Sequence, residues 1–434
     1  MLASWRGLSR EHRLLERSYI ACLCSMFLFN NNTVPQSTYY AVVLPFAALS
    51  GFWFARRTLR LSVIFWAVTV YLAAIGLSSL GQPSAETSVV LGYFRRTGMV
   101  LTFLLATAYL VARSRQFVPT ALVALSAAAA ANALISMVAL LHERQLSGGV
   151  QSLRMLAAIG FPGYENSTNI ALTYAVLLVG AVGTMLGGGL SRLQQRVLVV
   201  AAIVLALALL MAQSRGPLAA AMLGILALVL ASLRWRLFLL SVGVVIAGCL
   251  AFAAIPELRD AVLARGESYR PELWRHYLLM AADRPWLGYG LFTDIRMRVS
   301  DGHLIPHPHN LLLSAQIRGG CVASVAMIVL LAAAFFWAIR LRVAKNIHTP
   351  LGLILTVALA GTVDYELFST SPAWPWVTIW LPIGICLGVE MSFRAVAAQR
   401  RFLTSDSRDK AGHRSARSSL DPEDSAVSPP GGPR

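Results

Sequence analysis

Long apolar runs joined by short polar connectors make up most of this chain, and the runs show no two-residue alternation. A helix needs about 20 mostly apolar residues to cross the hydrocarbon core. A spanning strand would instead alternate apolar and polar positions. The pattern predicts an all-α polytopic integral membrane protein with about 12 transmembrane helices. The spans are placed at 15–30, 38–55, 61–80, 97–112, 117–141, 168–188, 197–212, 216–232, 237–255, 311–339, 350–368 and 376–393. Between the ninth and tenth the pattern breaks. Residues 256–310 are polar and Arg-rich, with His, Trp, Gly and Pro, and read as a large outer loop containing amphipathic helices. Residues 1–393 form the membrane domain, and the charged, Ser-rich segment 394–434 reads as a disordered basic cytoplasmic tail.

Composition agrees, with 57% of residues hydrophobic and 13% charged, values outside the range of soluble domains. The net charge of +17 raises the question of nucleic acid, and its distribution answers it. On one side of the predicted membrane lie 24 of the 37 Lys and Arg, in short connectors and the two termini. The positive-inside rule makes that side cytoplasmic, so the charge records orientation and no nucleic-acid partner is expected. The first helix is expected to be uncleaved. The five cysteines fall in apolar runs and read as small core residues.

The 13 basic residues on the other side are all Arg. Eight lie between Arg259 and Arg318, two are the pair Arg95–Arg96, and Arg144, Arg154 and Arg215 stand apart. Arg215 sits in QSRGP, a connector so short that two spans nearly touch. An arginine there is costly unless paired or wet, and the helix starting at Gly216-Pro217 adds N–H groups and partial positive charge. Together they make an anion site at the membrane surface. In the loop, RPELWRHYLLMA predicts an amphipathic helix over 271–282, with Trp274 and Tyr277 at headgroup level. Arg265 and Arg270 stand at its start, where they can meet a phosphate.

His307-Pro308-His309-Asn310 marks the junction of the loop with the tenth span. A neutral imidazole there suits a general base, since its ordinary pKa is about 6.5. An x-spaced His pair without Cys or a carboxylate partner is poor evidence for zinc, and no metal is expected. If a carboxylate acts as base instead, Asp301 or Asp294 is next in line. FPGYENSTNIA brings Asn166 and Asn169 to the outer start of the sixth span, where one is explained by capping. Trp374 and Trp376 fit an interfacial belt.

Taken in order, Arg215 in QSRG, Arg270-x-x-x-Trp274 leading to RPWLGYG (284–290), and His309-Asn310 leading to Gly319-Gly320 resemble the O-antigen ligase family. The FPGYENSTNIA stretch is similar to that family too. The likeness covers roughly residues 160–390. It implies a GT-C-type glycosyltransferase that takes an O-antigen glycan from undecaprenyl diphosphate. The acceptor would be a sugar hydroxyl of lipid A–core oligosaccharide, at the periplasmic face of the bacterial inner membrane. The family works without a cofactor or metal and inverts the anomeric centre. Carried onto matching positions, Arg215 and Arg270 serve the diphosphate and His309 activates the acceptor. Arg265, Trp274, His307, Asn310, Arg318, Asn166 and Asn169 are the further substrate contacts expected; His307-Pro308 departs from the commonest family pattern. An O-antigen polymerase or a protein O-oligosaccharyltransferase of the same superfamily is the nearest alternative. A lipid-linked sugar transporter is a more distant one, since it would need ionisable residues in mid-span.

Overall fold

The structure is a computed structural model that describes residues 10–29, 33–45, 62–80, 82, 86–147, 155, 158, 167–233, 269–300, 302–345, 347–362 and 370–397. Residues 46–55 of the expected second span, the expected span at 237–255, residues 256–268 of the loop, residues 398–434 of the tail, and Asn166, Arg265 and Asp301 lie outside the described residues, while 394–397 at the start of the expected tail are helical.

Helices account for nearly all of what is described. They are α1 (Arg10–Leu28), α2 (Thr33–Thr38), α3 (Val63–Leu80), α4 (Thr87–Arg113), α5 (Phe117–Ser147), α6 (Ser167–Gly187), α7 (Arg192–Ala212), α8 (Arg215–Ala231), α9 (Arg270–Asp283), α10 (Leu311–Lys345) and α11 (Thr349–Gly361). The last, α12 (Trp376–Ala397), opens with a π-helical turn. Seven of them (α3 to α7, α10 and α12) are long and apolar enough to cross a bilayer, and α8 and α11 are shorter apolar helices. The chain is thus an all-α, multi-pass membrane protein. Its β structure among the described residues is one short pair, β1 (Met297–Arg298) antiparallel to β2 (Leu304–Ile305), with Met297 opposite Ile305.

Packing runs α3 along α10, α10 along α11, α11 along α8, and α8 along α6, which also lies against α7 and α5. Most helices agree with the expected spans, but α4 starts ten residues before its span, at Thr87 instead of 97. The pair Arg95–Arg96, expected in an outer connector, is therefore helical. At about 1.5 Å per residue α4 outruns a hydrocarbon core of about 30 Å. Helix persists past the apolar boundary, and hydropathy alone sees only that boundary. Arg95 is exposed, whereas Nε of the half-buried Arg96 finds no hydrogen-bond partner among the described residues.

A second departure concerns Glu390, near the end of α12 and fully buried. Its carboxylate accepts from Ser62 Oγ (2.7 Å) and from the N–H groups of Val63 (3.0 Å) and Ile64 (3.3 Å). It also pairs with Arg394 Nη2 at 2.8 Å. The carboxylate thereby caps the start of α3, whose first N–H groups have no partner within the helix.

Candidate active site

The segment from α9 to the start of α10 forms a small layer with its own core. Leu273, Tyr277, Ile295, Val299 and Ile317 are buried together, and Trp274, Tyr289, Met297, Ile305 and Leu313 pack around them. The Tyr277 hydroxyl donates to Ile295 O at 2.8 Å, tying α9 to the segment after the RPWLGYG turn. The expected helix over 271–282 is α9, with Pro271 in its first turn. Its Trp274 is a packing residue as well as a polar one: its indole N–H donates to Pro308 O at 3.0 Å.

RPWLGYG and IRGG, far apart in sequence, form one structural unit. α10 breaks at Gly320, whose φ of 64° and ψ of −163° lie outside the helical region. Carbonyls released by the break accept from the turn: Tyr289 N–H donates to Ile317 O (2.6 Å) and Gly290 N–H to Arg318 O (2.9 Å). In return, Cys321 N–H donates to Pro285 O at 2.8 Å, and Gln316 Nε2 does so at 2.9 Å. Gly288 also has positive φ, 67°, and a Cβ there would stand 2.5 Å from Ile317 O. The outer end of α3 grips the other edge. Ser78 Oγ donates to Leu287 O, Ser79 Oγ accepts from Leu291 N–H, and Gln82 Oε1 accepts from Phe292 N–H. The tip of the turn, Trp286 and Leu287, is 73% and 61% exposed.

Arg318, expected among the substrate contacts, is seated in protein. It is 7% exposed, and its Nη1 donates to the carbonyls of Gly290 (3.0 Å), Leu291 (3.3 Å) and Thr293 (3.1 Å). One cation holding three carbonyls fixes the chain after the turn. Asp294, one of the two carboxylates held as reserve bases, is exposed and forked onto Arg296, with contacts of 2.8 and 2.6 Å. Those hydrogen bonds pull its carboxyl down to about 2, which makes it a poor proton acceptor. Arg284 lies over the Tyr289 ring at 4.9 Å, and the Tyr289 hydroxyl donates to Asp283. Burial and that hydrogen bond push the Tyr289 hydroxyl above its usual range, so it stays a donor.

His309 has φ of 50°, a left-handed conformation that costs a non-glycine residue about 1–2 kcal/mol. Its N–H donates to His307 Nδ1 at 3.2 Å, and the two rings lie 4.1 Å apart. Asn310 then caps α10: its Oδ1 accepts from Leu313 N–H and its Nδ2 donates to Thr362 O, both at 3.0 Å. Local strain held by a bend and a cap is a recurrent mark of functional sites.

Helix register brings Arg215 to the same level. α7 ends at Gln213 in a left-handed cap, Ser214 is extended, and α8 starts at Arg215. α8 and α11 run antiparallel, with Thr356 Oγ1 3.5 Å from Ala220 O and Leu228 against Gly352. Going outward from that contact, Arg215 is about 7.5 Å along α8 and Thr362 about 9 Å along α11. They end at one level, where Thr362 O receives Asn310 and Leu311 packs on Gly361. α6 runs parallel to α8, with Val179 beside Gly224, and the same count sets Asn169 level with Arg215. Arg270 stands one turn before Trp274 on α9 and so shares the face that meets Pro308. By this register Arg215, Asn169 and Asn310 lie at one level of the bundle, and Trp274, with Arg270 one turn before it, meets Pro308 between His307 and His309. Arg215 is exposed, and Arg270, His307 and His309 are half-buried. Among the described residues no three His, Cys, Asp or Glu side chains converge as a metal site.

The contacts that build the platform, from Ser79, Gln82, Gln316 and Gly320, were not legible as functional. Only the glycine spacing hinted at them.

Residues 199–328, from within α7 to the middle of α10, match the family model described as O-antigen ligase. The chain is also similar to a protein named O-antigen ligase from Pseudomonas aeruginosa, at 28% identity over 188 residues. That match covers 43% of this chain and 46% of the relative, so it spans about half of that protein's length. Together with the motifs from Arg215 to Gly320, these findings support the O-antigen ligase family for this chain.

Proposed function

We propose that this chain is an O-antigen ligase: a GT-C-type glycosyltransferase that moves a glycan from undecaprenyl diphosphate to a sugar hydroxyl of lipid A–core oligosaccharide. The reaction takes place at the periplasmic face of the bacterial inner membrane, with residues 256–310 as the catalytic loop, both termini in the cytoplasm and membrane lipids around about 12 spans. The observation that carries this reading is the register that sets Arg215 level with Asn310 and the end of α11, beside the bend at His309.

His309 takes the proton of the acceptor hydroxyl. The oxygen attacks the anomeric carbon from the face opposite the phosphate, the bond from that carbon to the phosphate oxygen breaks, and the configuration inverts. Undecaprenyl diphosphate leaves carrying the bonding pair, and Arg215 and Arg270 stabilise the charge that develops on it. Guanidinium suits this because it is planar, always charged and bidentate toward phosphate. His307 is the weaker choice as base, because its Nδ1 is occupied by the His309 N–H. Asn310 and Asn169 are placed to meet sugar hydroxyls, and Trp274 to wall the acceptor side.

The test is transfer in vitro with purified protein, undecaprenyl-diphosphate glycan, lipid A–core and excess EDTA. Product in EDTA that disappears in Arg215→Ala and His309→Ala supports a metal-independent ligase. A lengthening donor glycan with unmodified lipid A–core identifies a polymerase instead. Loss of donor binding in His309→Ala equal to the loss of transfer refutes the base role.

A further inference from the structure

The end of the bundle opposite the candidate active site holds a cavity of about 550 Å³. It lies where α4, α6 and α10 end, α5 and α11 begin, and α12 passes by. Its walls are apolar, including Val111, Leu341, Ile385 and Val389. Its charged lining among the described residues is cationic: Arg115 and Lys345 both face it, close enough for their charges to repel. Two helix starts face it as well, α5 through Gln116 and Pro119 and α11 through Thr349 and Pro350.

Among the described residues no carboxylate lines this cavity. Two described acids close to its walls already have partners: Glu16 pairs with His12 at 3.8 Å and hydrogen-bonds Ser114, which lines the cavity, and Glu390 pairs with Arg394. Positive-inside bias accounts for basic residues at this end in general. It does not account for two cations converging with two helix N-termini on one concave site. Such a site focuses positive potential. A small hydrated anion would satisfy the mouth but not the apolar walls. A ligand with a phosphodiester and an acyl chain satisfies both.

We propose that this cavity binds an anionic phospholipid, its phosphodiester headgroup between Arg115 and Lys345 and its acyl chain against the wall formed by Val111, Ile385 and Val389. This site is independent of the transfer reaction and lies at the other end of the helices.

The experiment measures lipid binding to the purified full chain in detergent, by native mass spectrometry and by thermal shift. Phosphatidylglycerol is compared with phosphatidylcholine and with inorganic phosphate. Wild type is expected to retain and be stabilised by phosphatidylglycerol over phosphatidylcholine. In Arg115→Gln/Lys345→Gln that binding falls about 30-fold, following the usual gain per basic side chain near anionic lipid. Arg192→Gln/Arg196→Gln removes the same charge at the start of α7, outside the cavity lining, and is expected to bind as wild type does. Val389→Trp fills the cavity while keeping both cations and is expected to lose the lipid too, so the test survives a poorly folded charge variant. Equal loss in both double variants shows general surface attraction and overturns the site. Equal protection by inorganic phosphate overturns the lipid as occupant, as does equal binding of the two lipids.

Discussion

Replacing Gly320 by Ala tests whether the broken helix and the RPWLGYG turn are one unit. The residue has φ of 64° and ψ of −163°, a region open essentially to glycine alone, where a side chain costs about 1–3 kcal/mol. Steric contact adds to this. The new Cβ would overlap the Trp286 carbonyl and stand 2.5 Å from Leu287 N. These are backbone atoms of a turn held from both sides, so relief requires lifting the turn off α10. Lifting it breaks Tyr289 N–H to Ile317 O, Gly290 N–H to Arg318 O and Cys321 N–H to Pro285 O. At about 1 kcal/mol net for each hydrogen bond, losing two of the three brings the total to about 3–5 kcal/mol.

The assay is a thermal melt in detergent beside a transfer rate, with Gly92→Ala as control. Gly92 lies within α4, and nothing stands within 4 Å of the position its Cβ would take. Ala there is expected to be neutral or to stabilise by up to about 1 kcal/mol. Gly320→Ala is expected to lower the melting temperature by several degrees and transfer by more than about ten-fold, with faster proteolysis inside 284–293. A Gly320→Ala protein with wild-type melting and wild-type transfer refutes the reasoning, because the turn would then not depend on the break.

Arg318→Met is expected to cost about 2–4 kcal/mol of stability, because the carbonyls of Gly290, Leu291 and Thr293 lose a charged donor, with partial recovery in Arg318→Lys. A variant that melts like wild type but no longer binds donor would make Arg318 a substrate contact after all. Asp294→Asn is expected to leave the transfer rate and its pH profile unchanged between about pH 5 and 9. The folded carboxyl is held near 2, below its unfolded value, so its contribution is complete above the unfolded pKa and is lost only as pH falls through the folded one. Loss of transfer together with the acid limb of the profile would identify Asp294 as the base.

The sequence made the helices legible because a bilayer admits little else. Runs such as Ser167–Gly187 and Arg192–Ala212 must close their backbone hydrogen bonds internally. Its errors share one cause, which is that hydropathy reports where apolar surface ends and not where hydrogen bonding ends. Arg95 and Arg96 pulled the expected start of α4 inward, although the helix continues to Thr87. Glu390 falls inside the expected span at 376–393, and only the fold shows it capping α3 across more than three hundred residues of chain. The residue types proposed for the candidate site, Arg215, Arg270 and His309, were legible as candidates. The assembly of the site was not, because register between α8 and α11 depends on side-chain interlock at Gly224, Gly352 and Thr356.

The loop's arginines show why residue type and outer placement alone do not select a phosphate ligand. Arg318 is spent on three carbonyls, Arg296 on Asp294, and Arg284 on the face of Tyr289. Arg318 and Arg284 hold the turn, and their removal would lower transfer through structure, so loss of activity on its own would assign them to the substrate. Position separates them from Arg215 and Arg270. The first stands exposed at the start of a helix, where the backbone adds positive potential. The second starts another helix, one turn from the Trp274 that meets Pro308. An arginine that neutralises developing charge acts on the transition state, so its loss lowers the rate constant even at saturating donor. A platform arginine acts through structure, so its loss shifts the melting temperature and the rate together. Measured side by side, those two responses sort the outer arginines by role.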